Sequence, residues 1–253
     1  MPINLNTGKR IKPRRVLLYG PHGTGKSTWA TRSPSHILLN FEDGVNDIDC
    51  TSTDRITTLA ELTTILMELA TDAIEFDWLI FDTLDWLETL IHDAVRGDHD
   101  SIADIGYGAG YKKALAQWQI IIKAAEYLMK AKGCGIIGLA HSAAKRFDPP
   151  DADSYDRYEP ALHPLASLLW QEWCDEVLHL NYRPAMTRTE DVGFSQKRTI
   201  VANDQAERFI RTQESPAVVA KSRLTLPVEI PCEWSVYQQA ITDSQPKPTK
   251  KAK

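Results

Sequence analysis

The chain predicts an α/β fold, with a mostly parallel central sheet flanked by helices and antiparallel strands at its C-terminal edge. Three observations carry this. Short apolar runs alternate with segments of helical periodicity, as in sheets whose strands are joined by crossover helices. A glycine-rich loop, Gly20 to Ser27, lies between the first apolar run and the first helical segment. No internal repeat or linker divides the 253 residues, and 43% hydrophobic with 25% charged residues suit one well-filled domain. Residues 1–13 are expected to be an N-terminal segment, 14–235 the folded domain, and 236–253 a basic, unordered tail. Its last stretch, QPKPTKKAK, holds no apolar side chain except Ala252.

Val16 to Tyr19 reads as the first strand and feeds the glycine loop, with a short helix from Lys26 to Arg32 that Ser33-Pro34 ends. His36 to Asn40 is the second strand, followed by the acidic turn Phe41-Glu42-Asp43-Gly44. Leu59 to Thr71 places Leu59, Leu62, Ile65, Leu66 and Leu69 at helical spacing. Trp78 to Asp82 is a buried-type strand, and Leu84 to Val95 is helical again. Arg96 to Gly110 reads as a loop, Tyr111 to Lys132 as the longest helix, ended by Gly133, and Gly135 to Ala140 as a fourth buried strand. After His141 the chain reads as irregular to Pro160. Glu176 to Tyr182 and Lys197 to Ala202 read as two further strands, antiparallel near the sheet edge.

Charge and cysteine usage bound the function. No apolar run is long enough to cross a bilayer and the N-terminus lacks the apolar core of a signal peptide, so a cytoplasmic protein with no membrane partner is expected. A net charge of -5 argues against coating nucleic acid by bulk charge but leaves room for a local basic groove. Basic residues cluster in Gly8 to Arg15 and in the tail. Cys50, Cys134, Cys174 and Cys232 are scattered, without metal-ligand spacing, and read as reduced thiols.

Gly20-Pro21-His22-Gly23-Thr24-Gly25-Lys26-Ser27, followed by Thr28, fits G-x-x-x-x-G-K-[ST] between a strand and a helix. Glycines there let backbone N–H groups turn around a β-phosphate, Lys26 reaches the β/γ oxygens, and Ser27 ligates Mg²⁺. Asp82, ending an apolar strand, is the candidate second metal residue, with Asp85 as fallback; Asp82 could instead cap the helix from Leu84 onward. Glu42, just past the second strand, is the candidate for orienting the attacking water. Asp43 competes with it, and both could be plain turn residues.

The stretch LLNFEDGVNDID resembles the segment that carries the catalytic glutamate in RecA-type recombinases. Val218 to Pro227 (VVAKSRLTLP) is similar to that family's late strand, where two basic residues separated by one position precede a proline. The resemblance implies that Lys221 and Arg223 act in trans on a neighbouring subunit's γ-phosphate, the alternative being two solvent-facing basic residues on an edge strand. His141 stands where RecA-like proteins carry a γ-phosphate sensor, usually Gln, leading into a DNA-binding loop. That loop would be 142–160, with Lys145 and Arg146 for phosphates and Tyr155 and Tyr158 for stacking on bases.

Over residues 14 to 231 the chain most resembles compact phage nucleotide-binding proteins with a RecA-like core and an AAA-type ATPase domain, a group that includes single-strand annealing proteins. This implies a RecA-like P-loop NTPase that uses ATP and Mg²⁺, forms a homo-oligomeric ring or filament, and binds single-stranded DNA, with a single-strand-binding protein as a further partner. Annealing rather than strand invasion is expected, since full-length recombinases carry an extra DNA-binding domain. Rival readings are a DnaB-like helicase or accessory motor, a small-molecule kinase, and a nucleotide-gated adaptor. No N-K-x-D guanine-reading motif and no L-S-G-G-Q segment occurs.

Overall fold

The computed structural model describes residues 8, 12–151, 153–183, 186–191, 197–202 and 207–245. The elements begin with β1 (Arg15–Gly20), α1 (Lys26–Ala30), β2 (His36–Asn40), α2 (Leu59–Thr71), β3 (Trp78–Asp82) and α3 (Leu84–Arg96). After a 3₁₀ turn at Ile102–Asp104 come α4 (Ala109–Lys132), β4 (Gly135–Phe147), β5 (Tyr155–Pro160), α5 (Pro164–Trp173) and β6 (Glu176–Tyr182). The C-terminal part adds β7 (Met186–Asp191), β8 (Lys197–Ala202), β9 (Arg208–Arg211), β10 (Lys221–Ser222), β11 (Glu229–Pro231) and α6 (Trp234–Ser244).

The main sheet runs β11-β9-β6-β1-β4-β3-β2, with β10 on β6 and β5 on β4. Its centre, β6-β1-β4-β3-β2, is parallel, while β9, β10, β11 and β5 pair antiparallel. The expected fold class is therefore observed. Both faces are covered, which is why WLIFD in β3 is buried at every position. One face packs Phe81, Trp118 and Trp170 with the apolar stripes of α2 to α5, and the other packs Trp29, Trp78, Trp234 and Tyr237 with α1 and α6. Local chemistry sets the helix ends: Thr58 accepts from Glu61 N at 3.2 Å to start α2, and Gly133, at φ 71°, stops α4.

Five sequence expectations need correction. Glu176 to Tyr182 is parallel to β1, because α5 carries the chain back across the sheet before β6 begins. Residues 142–160 are not an irregular loop: β4 continues through Phe147 and pairs with β5 as a hairpin, its side chains alternating between faces. The aspartates and prolines between Asp148 and Asp153 belong to its turn. Val218 to Pro227 is a strand only at Lys221–Ser222. Lys197 to Ala202 is antiparallel as expected, but among the described residues it pairs with β7 in a separate two-stranded sheet rather than at the edge of the main one. The supposed tail from 236 begins as part of α6, with Trp234 and Tyr237 buried and the Tyr237 hydroxyl donating to Glu176 Oε2 at 2.9 Å. The basic stretch 246–253, and residues 1–7 and 9–11 of the N-terminal segment, lie outside the described residues.

Candidate active site

Parallel strands deliver their carboxyl ends to one edge, and strand register fixes what meets there. Gly20, the last residue of β1, pairs with His141; Asn40 pairs with Asp82, and Asp82 with Leu139. The glycine loop, Glu42, Asp82 and His141 thus converge, lining a cavity of about 290 Å³ with His22, Gly23, Gly25, Lys26, Ser27, Thr28, Gly44, Ile48 and Thr83. Four segments far apart in sequence form this site.

The loop is built from its own backbone. Gly23 and Gly25 sit at φ +70° and +88°, a region that strains any residue with a Cβ. Thr24, fully buried, donates its hydroxyl to Pro21 O at 2.8 Å, and Tyr182 Oη donates to Gly23 O at 3.0 Å. Lys26 Nζ donates to Gly20 O at 3.1 Å and Pro21 O at 3.0 Å, which leaves one of its three protons for a ligand. Burial lowers the Lys26 ammonium pKa, opposed by the charges of Asp85, Asp82 and Glu42.

Burial pushes the Asp82 carboxyl up to about 6, a rise that the Ser27 hydroxyl works against and the Glu42 charge adds to. Asp82 Oδ1 is buried without a hydrogen-bond partner. A carboxylate oxygen left bare beside a Ser hydroxyl and a phosphate loop is a fit for a hard divalent cation, which takes oxygen ligands.

Asp85, the fallback metal residue from sequence, is hydrogen-bonded to His141. Its Oδ1 accepts His141 N at 3.0 Å and its Oδ2 lies 2.6 Å from His141 Nδ1. An ionised carboxylate only accepts, so Nδ1 carries the proton shared with Asp85. Burial alone would raise the Asp85 carboxyl, but these hydrogen bonds outweigh it and hold it below its ordinary value. His141 Nε2 lies 3.9 Å from Glu42 Oε1, and its ring stacks on His22 with centroids 3.6 Å apart. Asp43 instead turns outward, its N–H donating to Asn40 Oδ1 at 3.0 Å.

The remaining site candidates lie elsewhere. Lys221 and Arg223 sit beside the start of β6, at the sheet end away from the glycine loop. Arg223 is exposed and pairs with Asp175 at 3.0 Å, and Lys221 Nζ approaches Glu172 O at 3.5 Å. On the hairpin, register splits the four DNA candidates. Arg146 and Tyr158 share the exposed face, whereas Lys145 and Tyr155 are half-buried on the other. Lys145 Nζ donates to Leu162 O at 2.7 Å, and Tyr155 packs on Phe147 at 5.5 Å. Lys145 and Tyr155 thus already have partners within the chain.

Sequence reading missed a second cavity, about 610 Å³, on the other side of the loop. It is lined by Arg32, Arg208, Cys232, Trp234 and Gln238 among others, and it shares Gly25 and Thr28 with the first. Arg208 Nη1 reaches Thr24 O at 3.4 Å. No local signal marks this pocket, because Arg208 and Gln238 reach it from far along the chain.

Residues 12–224 match the family model described as the AAA domain. No sequence among the curated proteins matches. Among solved structures, the crystal structure of the RadB recombinase matches with a TM-score of 0.39 and 15% identity, over 79% of this chain and 89% of that one. A likeness this loose carries no functional argument. With its glycine loop and the buried Asp82 inside the matched residues, the chain is a P-loop NTPase and belongs to the AAA domain family.

Proposed function

We propose that the chain binds and hydrolyses ATP as a subunit of a RecA-like oligomer that acts on single-stranded DNA in recombination or replication, in a phage-encoded annealing-type role. One observation carries the reading: the glycine loop, Asp82, Glu42 and His141 line a single cavity. The triphosphate lies on the loop amides with Lys26 on its terminal oxygens, and base and ribose extend past Gly25 and Thr28 into the larger cavity. Ser27 and Asp82 would hold Mg²⁺, which would supply positive charge to neutralise the phosphate oxygens during γ-phosphoryl transfer.

Glu42 orients the attacking water and accepts its proton as the γ-phosphoryl transfers. Its side chain is about one-third exposed, which gives water a path to it. His141, its Nδ1 proton held by Asp85, presents Nε2 towards the same space and joins it to the hairpin, since β4 runs unbroken from His141 to Phe147. On that hairpin Arg146 and Tyr158 face outward, where a phosphate and a base would dock. Lys221 and Arg223, distant from their own chain's loop, complete a neighbour's site.

Glu42→Gln tests the chemistry. It should keep ATP affinity within a few-fold while turnover falls by about 10²-fold or more, the scale of a lost general base. Unchanged turnover in Glu42→Gln would overturn the assignment.

A further inference from the structure

His22, Glu42 and His141 each offer one ligand atom, and these atoms all lie within 4.8 Å of one another. His22 is exposed on the glycine loop, Glu42 half-buried past β2, and His141 buried at the end of the parallel part of β4. We propose that these three side chains form a site for a divalent transition-metal ion of the Zn²⁺ class, separate from the Ser27 and Asp82 oxygens.

The ligand chemistry selects the ion. Two imidazoles and one carboxylate, with a fourth position open to water, suit Zn²⁺ or Co²⁺, whereas Mg²⁺ takes oxygen ligands and keeps its waters. Asp85 Oδ2, 2.6 Å from Nδ1, occupies that ring nitrogen, so Nε2, 3.9 Å from Glu42 Oε1, is the nitrogen that faces the ion's position. A carboxylate behind a histidine is the arrangement that orients and strengthens imidazole ligands. His22, stacked on His141 at an interplanar angle of 23°, brings a ring nitrogen within 4.8 Å of the His141 and Glu42 ligand atoms.

An ion there engages Glu42 and His141 together while leaving Lys26, Ser27 and Asp82 free. If the ion is present, hydrolysis stops without loss of the phosphate-loop contacts; this consequence rests on the role of Glu42 proposed above, but the site itself does not.

The test uses Co²⁺ as the probe on the full chain without nucleotide, in buffer containing excess Mg²⁺, with folding of each variant followed by circular dichroism. The wild type should give visible ligand-field bands that Zn²⁺ abolishes, with no thiolate charge-transfer band. His22→Ala and His141→Ala should lose the bands, Asp82→Ala should keep them, and Asp85→Asn should weaken Co²⁺ binding by about 10–100-fold. No bands in the folded wild type, a thiolate band, or bands that survive in folded His22→Ala would overturn the proposal. Zn²⁺ inhibition of ATP turnover is measured separately. A chain that binds Co²⁺ but never hydrolyses ATP would sink the function proposed above and leave the metal site standing.

Discussion

At Lys26 the ammonium donates to Gly20 O and Pro21 O, so the loop and its lysine are organised around one point. Lys26→Ala removes a charge-assisted contact and should weaken ATP binding by about 10²-fold, roughly 3 kcal/mol, as read by calorimetric titration. Glu88 gives a prediction free of nucleotide. Burial pushes its carboxyl up to about 7, although both oxygens accept His163 N, at 3.1 and 2.9 Å. A raised folded-state pKa means the folded chain holds this proton more tightly than the unfolded one. The resulting stabilisation is complete below the ordinary Glu value and lost as pH rises through about 7. Glu88→Gln should therefore match wild type near pH 4 and exceed it by up to ~3 kcal/mol above pH 8, measured as the difference in denaturant unfolding. Lys26 and Asp82 were legible because each ends or follows a local pattern, a glycine loop or an apolar strand. The Asp85–His141 pair was not, since 56 residues separate partners that only the sheet brings together.

At the scale of elements, the hairpin of β4 and β5 divides its side chains by face, and function should divide the same way. Arg146→Ala should weaken single-stranded DNA binding and lower the salt slope by about one, while Tyr158→Ala costs about 1–3 kcal/mol with little change in slope. Lys145→Ala should instead lower thermal stability, because its ammonium is tied to Leu162 O. Fluorescence anisotropy across salt concentrations separates these outcomes. Equal effects of all three on DNA would refute the facial division. Helix α6 makes a second prediction: Tyr237→Ala empties a fully buried site against Trp29 and removes the donor to Glu176, costing about 3–5 kcal/mol. The parallel strands β1 to β4 were readable as apolar runs. The hairpin was not, because its alternation of charged and aromatic residues surrounds a proline- and aspartate-rich turn that resembles a loop, and α6 was hidden by its nearness to the basic end.

For the whole molecule, the distance of Lys221 and Arg223 from their own glycine loop makes the subunit incomplete on its own if these residues act in hydrolysis. Arg223→Ala should lower turnover by about 10³-fold, the scale of a lost arginine finger, with ATP affinity retained. Mixing inactive Arg223→Ala with inactive Glu42→Gln should restore part of the activity, since some interfaces then join an intact Glu42 to an intact Arg223. The α/β fold with its mostly parallel sheet was legible in the sequence as a whole, whereas the assembly proposed above has only the spacing of Lys221 and Arg223 to point to it. The most direct measurement is ATP turnover per subunit over a range of protein concentrations, with and without single-stranded DNA, beside Lys26→Ala. The account predicts a rate per subunit that climbs with concentration, climbs further with DNA, and vanishes in Lys26→Ala. A rate per subunit that is constant with concentration and indifferent to DNA would contradict it.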